Sequence, residues 1–374
     1  MRIVHIANFY GPNSGGLRTT MHALGAGYGQ RGHDVVLIVP GHRDDDGPTP
    51  YGRRIRVRSP IVPFTGGYRV MVRIMHVRRI VARLRPDVVE VSDRTTLRSL
   101  GRWARRRGIN AVFFNHERVD GVIRANLPAW LVRLLPVERI ANWHNRATAR
   151  CFTTVVCTTA YARVEFERAG LGSVTISLGV DLDVYHPRNA SESVRARWVE
   201  PGEALVVMAS RLSPEKHPEL AIDAIGLLAQ RGVRVRLVSA GVGKIAERMH
   251  ARAQGLPVTF AGFVTDRAEF AALLASADVV VAPGPIETFG LAALEALASG
   301  TPVVVNKESA LPEVVADAGV AVAGTAQGFA DGIAEVLARG RDTRRARARQ
   351  RAETMPWSAT IDALLALHTQ TPAP

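Results

Sequence analysis

The stretch that most constrains the fold of this chain reads APGPIETFGLAALEALASGTPVVV and spans residues 282–305. An apolar run at 279–282 predicts a buried strand, which the following Pro and Gly end. An Ala- and Leu-rich segment then predicts a helix that ends at Gly300, before a second apolar run at 303–305. The stretch therefore predicts a strand, a turn, a helix, a turn and a second strand.

Two acidic residues frame the predicted helix. Glu287 lies at the mouth of the turn, and Glu295 follows about two helical turns later, roughly 12 Å away at about 1.5 Å per residue. Carboxylates at that separation can hold opposite ends of one extended ligand. Backbone N–H groups at a helix start, here those of Phe289, Gly290 and Leu291, attract anions such as phosphate. The pattern fits binding of a nucleotide-sugar. An equal alternative is a solvated surface helix that carries two Glu residues without binding a ligand.

The spacing E-x7-E within ETFGLAALEALASGTPVVV resembles the signature of the retaining glycosyltransferases of family 4, which have the GT-B fold. The resemblance implies an α/β chain of two Rossmann-like domains that face an interdomain cleft, with a C-terminal helix that crosses back to the first domain. It also implies that Glu287 binds the sugar hydroxyls and that Glu295 binds the ribose. The donor-binding residues that it implies in this stretch are Thr288, Phe289, Gly290, Leu291 and Glu295.

Length and composition agree with a two-domain protein of a reducing compartment. A chain of 374 residues is too long for one ordinary domain, and 47% apolar residues suffice for two cores. Two cysteines are too few for a disulfide framework. The N-terminus MRIVHIANFYGP is unlike a signal peptide, and no run reaches 18 apolar residues. We therefore expect a soluble, cytoplasmic protein.

The charge predicts anionic partners. The 48 Lys and Arg residues exceed the 34 Asp and Glu residues by 14, which suits nucleic acid, acidic membranes or phosphate ligands. Nucleic acid is disfavoured, because aromatic residues make up only 6% and no recognition motif is present. The segment 68–85, YRVMVRIMHVRRIVARLR, predicts a basic amphipathic helix. Either its arginines are solvated, or they meet anionic lipid at an acceptor or membrane face; these arginines are Arg69, Arg73, Arg79 and Arg83.

The first predicted domain spans 1–187 and is completed by 357–374. After a strand at 2–7, the pair Gly15 and Gly16 frees the backbone to approach a ligand, and the helix behind it offers N–H groups to a diphosphate. The dinucleotide-binding spacing G-x-G-x-x-G is missing. His116 follows a strand at 111–115, at the edge where α/β sheets bind ligands. The family resemblance places such a His beside the transferred sugar.

The second predicted domain spans 188–356 and opens with a basic loop. The sequence SRLSPEK at 210–216 resembles the family segment G-R-L-x-x-E-K, with Ser210 in place of Gly. Arg211 and Lys216 can converge on one anionic group, and the resemblance assigns both to the donor diphosphate. Farther on, Gly262, Phe263 and Val264 resemble the segment whose backbone reads the nucleobase. Ser309 and Ala310 stand where many relatives have Gly-Gly, which leaves the local backbone path open.

Further segments, NFYGPNSGGLRTT, residues 62–68, EVSDRTTLRSLGRW and NHERVD, are similar to actinobacterial phosphatidylinositol mannoside mannosyltransferases. This resemblance implies GDP-mannose as donor and a glycolipid acceptor at the inner face of the membrane. It implies catalysis by His116, Arg211, Lys216 and Glu287 with retention of configuration. We expect no metal and no cofactor besides the donor, because neither a D-x-D triplet in a plausible loop nor a His/Cys cluster is present.

Two alternatives stay open at this point. One is a family 4 transferase that uses a UDP-sugar on a secondary metabolite or another small acceptor. The other is a catalytically silent protein that binds nucleotides or nucleic acid, since fold does not fix function.

Overall fold

A computed structural model describes residues 1–11, 14–63 and 67–370 of the chain. Pro12 and Asn13 of the predicted glycine loop, and residues 64–66 of the mannosyltransferase-like segment, lie outside the described residues. The chain forms two compact units, Met1–Leu178 with Trp357–Pro374 and Gly179–Pro356.

The first unit is built on a mostly parallel sheet with the strand order β3-β4-β2-β1-β5-β6-β7-β8, in which only β3 and β4 pair antiparallel among the described strands. Its strands are β1 (Arg2–Ile6), β2 (Asp34–Gly41), β3 (Asp45–Thr49), β4 (Gly52–Arg58), β5 (Val88–Val91), β6 (Asn110–Asn115), β7 (Thr154–Cys157) and β8 (Val174–Thr175). Its first helices are α1 (Gly16–Gln30), α2 (Ile74–Leu84), α3 (Arg98–Arg105), α4 (Val119–Asn126), α5 (Ala129–Leu134), α6 (Val137–Ala149) and α7 (Ala160–Arg168).

The second unit contains a parallel sheet with the strand order β11-β10-β9-β12-β13-β14. Its strands are β9 (Ala204–Met208), β10 (Val235–Ala240), β11 (Val258–Gly262), β12 (Val279–Ala282), β13 (Val303–Asn306) and β14 (Val320–Val322). Its helices are α8 (Glu192–Ala196), α9 (Pro218–Gln230), α10 (Ala246–Arg252), α11 (Arg267–Ser276), α12 (Leu291–Ala298), α13 (Leu311–Val315), α14 (Ala326–Ala338) and α15 (Arg341–Glu353). Short 3-10 turns cover Pro187–Asn189, Pro214–Lys216 and Ala316–Ala318.

The C-terminal helix α16 (Trp357–Thr369) belongs to the first unit, as the sequence predicted. It packs against α1, and its Ile361 and Leu364 are buried in the same core cluster as Leu24 of that helix. Trp357, the expected anchor of the return, packs on the edge of this cluster.

Three sequence predictions about element bounds differ from the structure. The predicted helix at 68–85 begins only at Ile74, because residues 60–62 pair with 68–70 through antiparallel hydrogen bonds that keep the backbone extended. The sequence also predicts one helix over 127–150, but this segment is divided into α5 and α6, and Pro136 caps the second of these. Residues 179–187 belong to the second unit and not to the first, since Val180 N–H donates to Met355 O at 3.0 Å.

Candidate active site

The segments that the sequence assigns to the donor lie at one edge of the second sheet. Its strands are parallel, so their carboxyl ends meet at the same edge, where α/β sheets bind ligands. The loop 210–216 follows β9, the turn 283–290 follows β12, and Gly262 ends β11. Since β9 and β12 are neighbours in the sheet, the first two segments adjoin.

Lys216 and Glu287 are in contact at this edge. The Lys216 ammonium donates to a carboxylate oxygen of Glu287, and the two side chains are only 20% and 22% exposed. Both residues line a small cavity together with Gly284 and Gly290. The structure therefore brings together two residues that the sequence assigned to neighbouring parts of one ligand.

Glycines allow these loops to approach each other. A Cβ atom on Gly284 would lie 3.2 Å from Glu215 O and 3.3 Å from Lys216 Cα, so a larger residue would push the lysine turn away. Gly241 and Gly243, which follow β10, would place a Cβ against the carbonyl oxygens of Ser210 and Leu212. The sequence showed this glycine turn, but its role in supporting the loop 210–216 depends on tertiary packing.

Arg211 lies differently from Lys216. Its side chain is half exposed, and its guanidinium contacts Oε1 of Glu215, four residues along the loop, at 3.3 Å. Convergence of Arg211 and Lys216 on a single anion stays a prediction, because the two cations have different carboxylate partners in the described structure.

Helix α12 begins at this edge with its N-terminus at Gly290. Gly290 has a φ of 77°, in the left-handed region that glycine tolerates, and a Cβ there would collide with Leu311. The aromatic ring of Phe289 is buried in the protein, so only its backbone remains to meet a ligand. Thr288 precedes it, and the N–H groups of Leu291 and its neighbours open the helix, where the helix dipole favours an anion.

The loop that carries Ser309 and Ala310 has a defined path without glycine. Ala310 has φ −73° and ψ −11°, which any residue adopts. Ala310 N–H donates to Glu287 O at 2.9 Å, and Ser309 Oγ donates to Asn306 O at 2.8 Å. These hydrogen bonds fix the local backbone path that the sequence left open at Ser309 and Ala310. Through Ala310 the loop also anchors the backbone of Glu287.

Glu295 on α12 lies in a polar cluster that the sequence did not predict. Tyr185 hydrogen-bonds to its carboxylate. The guanidinium carbon of Arg267 lies 5.5 Å from the centre of the Tyr185 ring, and its Nη2 lies 3.4 Å from Asp181 Oδ2. Burial raises the pKa of Glu295 to about 7, with a further contribution from Asp181, although Tyr185 and Arg267 oppose this shift.

The predicted nucleobase segment lies at the end of β11. Gly262 has a φ of 71°, and the ring of Phe263 is 43% exposed next to Val264. Asp266 then caps α11 by accepting from Ala268 N–H at 2.8 Å. The segment is an exposed turn at the ligand-binding edge.

In the first unit, Gly15 and Gly16 are exposed at the start of α1. Gly15 has a φ of −67°, and a Cβ on it would meet no atom of the described chain within 4 Å. Neither the φ angle of Gly15 nor its packing against the described residues therefore requires glycine at this position.

His116 directly follows β6, at the carboxyl edge of the first sheet. Its Nε2 lies 2.9 Å from Ser92 Oγ, and its ring stacks with Phe114 at 6.1 Å between ring centres. Burial, assisted by the positive charge of neighbouring groups, lowers the pKa of His116 to about 3. The imidazole is therefore neutral at physiological pH.

The chain resembles known glycosyltransferases in both sequence and fold. Residues 14–184 match the family described as Glycosyltransferase Family 4, and residues 191–355 match Glycosyl transferases group 1. The chain is 47% identical over 369 residues to the GDP-mannose-dependent alpha-(1-6)-phosphatidylinositol dimannoside mannosyltransferase of Mycobacterium tuberculosis (strain ATCC 25177 / H37Ra), covering 98% of this chain and 95% of that protein. The chain belongs to glycosyltransferase family 4.

Other similarities to the transferase are more distant. A D-inositol 3-phosphate glycosyltransferase of Mycobacterium bovis is 35% identical over 206 residues, which is 50% of this chain and 42% of that protein. The sucrose-phosphate synthase of Thermosynechococcus elongatus superposes with a TM-score of 0.81 at 20% identity and covers 98% of both chains. This structural likeness shows the fold, and the transferase is a GT-B protein with two parallel-sheet α/β domains.

The four arginines assigned to a lipid face of the transferase do not form one helical surface. Arg69 and Arg73 precede α2, and only Arg79 and Arg83 lie on it, both exposed. Arg69 donates to Ser59 O at 2.6 Å, and Arg73 pairs with Asp44 at 3.4 Å. The prediction of a continuous basic helix is therefore wrong in its first part, where pairing with a neighbouring segment overrides the helical pattern.

Proposed function

We propose that the transferase moves mannose from GDP-mannose to a glycolipid of the phosphatidylinositol mannoside class. The observation that carries this proposal is the similarity along 98% of the chain to a mannosyltransferase described with that donor and lipid. The contact of Lys216 with Glu287 at the ligand-binding edge of the second sheet supports it, because a nucleotide-sugar needs a cation and a hydroxyl acceptor next to each other.

The charge that develops on the leaving GDP must be stabilised for the sugar to depart. In this proposal Lys216 and Arg211 bind the diphosphate, and the N-terminus of α12 adds its dipole. Glu287 accepts hydrogen bonds from the sugar hydroxyls, so the arriving donor replaces the contact between Lys216 and Glu287 with one partner for each. In this proposal these groups stabilise the negative charge of the diphosphate without a metal ion.

The remaining assignments follow the family resemblance. Glu295 accepts from the ribose, and the turn 262–264 contacts the base. In the first unit, Gly15 and Gly16 approach the diphosphate, and His116 lies beside the transferred sugar. Transfer retains the anomeric configuration, with the leaving phosphate accepting the proton of the attacking hydroxyl.

The donor is tested by a thermal-shift panel of GDP, UDP, ADP and their common sugar conjugates, because a ligand that binds only the folded state raises the unfolding temperature. We expect selective stabilisation by GDP and GDP-mannose. Selective stabilisation by UDP or its conjugates would reject the donor and favour transfer of another hexose to a different acceptor. Absence of any response would contradict the donor site itself.

We further propose that the first unit contacts the cytoplasmic face of the membrane through α5 and α6, both of which pack against α4. Trp130 and Leu134 on α5 are 64% and 74% exposed, and Trp143 on α6 is 66% exposed. Exposed arginines, Arg133 and Arg139, lie among them. Large apolar side chains interleaved with arginine suit an anionic lipid interface, where Trp is favoured. No described helix is long and apolar enough to cross a bilayer.

This second proposal is tested by co-sedimentation with vesicles of neutral or anionic lipid. Replacing Trp130 and Trp143 with Ser should abolish sedimentation on anionic vesicles. The matched variant replaces Arg79 and Arg83 on α2 with Ser. If only the α2 variant loses binding, the contact lies on α2; if neither variant changes it, both faces are excluded.

A further inference from the structure

A file of polar side chains crosses the otherwise apolar sheet of the first unit and ends at the proposed sugar-binding histidine. The members of this polar file are Glu90, His5, Ser92 and His116. We propose that the polar file positions His116 for transfer by fixing its ring as the neutral tautomer with the proton on Nε2. The role for transfer rests on the proposed function, whereas the tautomer is a property of the protein alone.

Strand register explains how residues far apart in sequence form the polar file. β1 and β5 are parallel neighbours in which His5 lies opposite Glu90, and β6 follows on the other side of β5. Side chains two residues apart on a strand point to the same face. Ser92 thus shares the face of Glu90, and His116 shares the face of Phe114.

Glu90 is the anchor of the polar file and is fully buried. Its Oε1 accepts from the Tyr28 hydroxyl of α1 at 2.7 Å and from His368 Nε2 of α16 at 2.8 Å. Its Oε2 lies 3.0 Å from His5 Nδ1. Burial alone would raise the pKa of Glu90, but the contacts with His5 and His368 hold it well below its usual range. The group is therefore a carboxylate that only accepts hydrogen bonds.

Ser92 connects the anchor to the edge of the sheet. Its Oγ lies 2.9 Å from Nε2 of His5 and 2.9 Å from Nε2 of His116. The ring of Phe114 stacks on both imidazoles, with centres 5.5 Å from that of His5 and 6.1 Å from that of His116. The aromatic ring thus holds the two histidines parallel while the hydroxyl bridges them.

The protons along the polar file follow from these contacts. His5 Nδ1 and Glu90 Oε2 lie 3.0 Å apart without the alignment of a hydrogen bond; because a lone pair on Nδ1 would still face the negative carboxylate, we place a proton on Nδ1. In the proposed polar file His5 has a single ring proton, on Nδ1, and Glu90 also accepts hydrogen bonds from Tyr28 and His368. His5 Nε2 then accepts the Ser92 hydroxyl proton, and Ser92 Oγ in turn accepts the proton on His116 Nε2. The second ring nitrogen of His116, Nδ1, carries a lone pair.

This tautomer suits a histidine beside a departing glycosyl group. The anomeric carbon gains positive charge as the bond to the leaving group breaks. An imidazolium there would oppose that charge, whereas a neutral ring does not. The polar file therefore contributes orientation and charge state to His116, and Ser92 is a positioning residue that touches no substrate.

The test is long-range 1H–15N NMR of the full-length, 15N-labelled protein at neutral pH, with no substrate added. Wild type should show His116 as the neutral Nε2–H tautomer. Ser92→Ala should lose this preference, and Ser92→Thr, which keeps the hydroxyl, should restore it. Ser59→Ala is the matched control, because the Ser59 hydroxyl is also buried in the first unit but donates to Val57 O at 2.7 Å.

Kinetics provide the second readout. Ser92→Ala should lower kcat for mannosyl transfer roughly tenfold with an unchanged KM for GDP-mannose, since one hydrogen bond that orients the ring is lost and the donor site is intact. An Nδ1–H tautomer or an imidazolium in wild type would overturn the proposal, as would a His116 spectrum that Ser92→Ala leaves unaltered. If GDP-mannose proves not to be the donor, the spectra still decide the tautomer.

Discussion

The ammonium group of Lys216 contacts the carboxylate of Glu287, and both side chains are about four-fifths buried. In the protein without ligand, each of these groups thus neutralises the other. On the proposed function they separate when the donor binds, with the lysine on the diphosphate and the glutamate on the sugar. The pair therefore keeps both groups at the ligand-binding edge before the donor arrives.

Replacing Glu287 with Gln should separate binding from transfer. The amide keeps the size of the side chain and leaves Lys216 available for the diphosphate, so the Kd for GDP should be unchanged or lower. Transfer should fall by roughly 100-fold to 1,000-fold, the range for loss of one group that interacts with the transition state. Calorimetry with GDP and steady-state transfer assays measure the two effects.

The control for this variant is Glu335→Gln. Glu335 lies on α14, and its carboxylate is also paired with a cation, since its Oε1 lies 2.6 Å from Nη2 of Arg339. It should leave both binding and transfer at wild-type values. Wild-type turnover by Glu287→Gln would show that Glu287 does not act on the sugar.

Replacing Arg211 with Ala should weaken GDP binding with little loss of stability. Its exposed ion pair with Glu215 is of a kind that contributes only about 0.2–1 kcal/mol. A diphosphate contact contributes more, so the Kd for GDP should rise roughly tenfold. Arg197→Ala is the matched control, because Arg197 is also about half exposed and pairs with Glu269 at 3.3 Å. Equal affinities for the two variants would remove Arg211 from the donor site.

Replacing Gly15 with Ala should leave the fold intact and impair transfer. No described atom lies within 4 Å of a Cβ at this position, so the free energy of unfolding should change by no more than about 1 kcal/mol. If the diphosphate approaches this backbone, the added methyl group should lower kcat/KM by roughly tenfold or more.

Gly29→Ala is the control, because Gly29 lies in α1, which begins directly after Gly15, and likewise has no described atom within 4 Å of a Cβ. It should match Gly15→Ala in thermal unfolding and keep wild-type activity. A fully active Gly15→Ala variant would exclude the close approach.

The pH dependence of donor binding should report on Glu295. Since its pKa is raised to about 7, mainly by burial, the carboxyl is largely protonated at pH 6 and ionised at pH 8. An ionised carboxylate is the better acceptor for ribose hydroxyls, so the affinity for GDP-mannose should increase about tenfold from pH 6 to pH 8. GDP-mannose is the suitable ligand, because its phosphates are diesters and do not titrate in this range.

Tyr185→Phe tests the origin of this dependence. The Tyr185 hydrogen bond lowers the pKa of Glu295, so its loss should move the midpoint of the affinity curve to higher pH. A wild-type affinity that is flat between pH 6 and pH 8, or a midpoint that Tyr185→Phe does not move, would contradict the role of this cluster.

The donor edge could be predicted from local sequence because each of its parts is formed by one short, continuous segment of the chain. The apolar runs and the Pro-Gly break around Glu287 gave the strand β12 and the helix α12. The short motif at 210–216 placed Lys216 in the loop that follows β9. Where neighbouring segments pair, as they do before α2, tertiary contacts overrode the helical pattern.

The polar file and the Glu295 cluster could not be predicted in the same way. His5 and Glu90 are 85 residues apart, and His368 is 278 residues beyond Glu90, so only strand register and the return of α16 bring them together. One signal was available: His5 in RIVHI and Glu90 in VVEV each stand between or beside apolar residues of a strand. A buried polar residue in a strand needs a partner, but the sequence does not say which one.

The most direct test of the central claim is transfer from radiolabelled GDP-mannose to phosphatidylinositol dimannoside by the purified protein. The account predicts a labelled glycolipid with one additional mannose in the α configuration, formed by wild type and not by Glu287→Gln. UDP-glucose and UDP-galactose should yield no labelled lipid. Failure to mannosylate this lipid, with turnover of a UDP-sugar instead, would contradict the account.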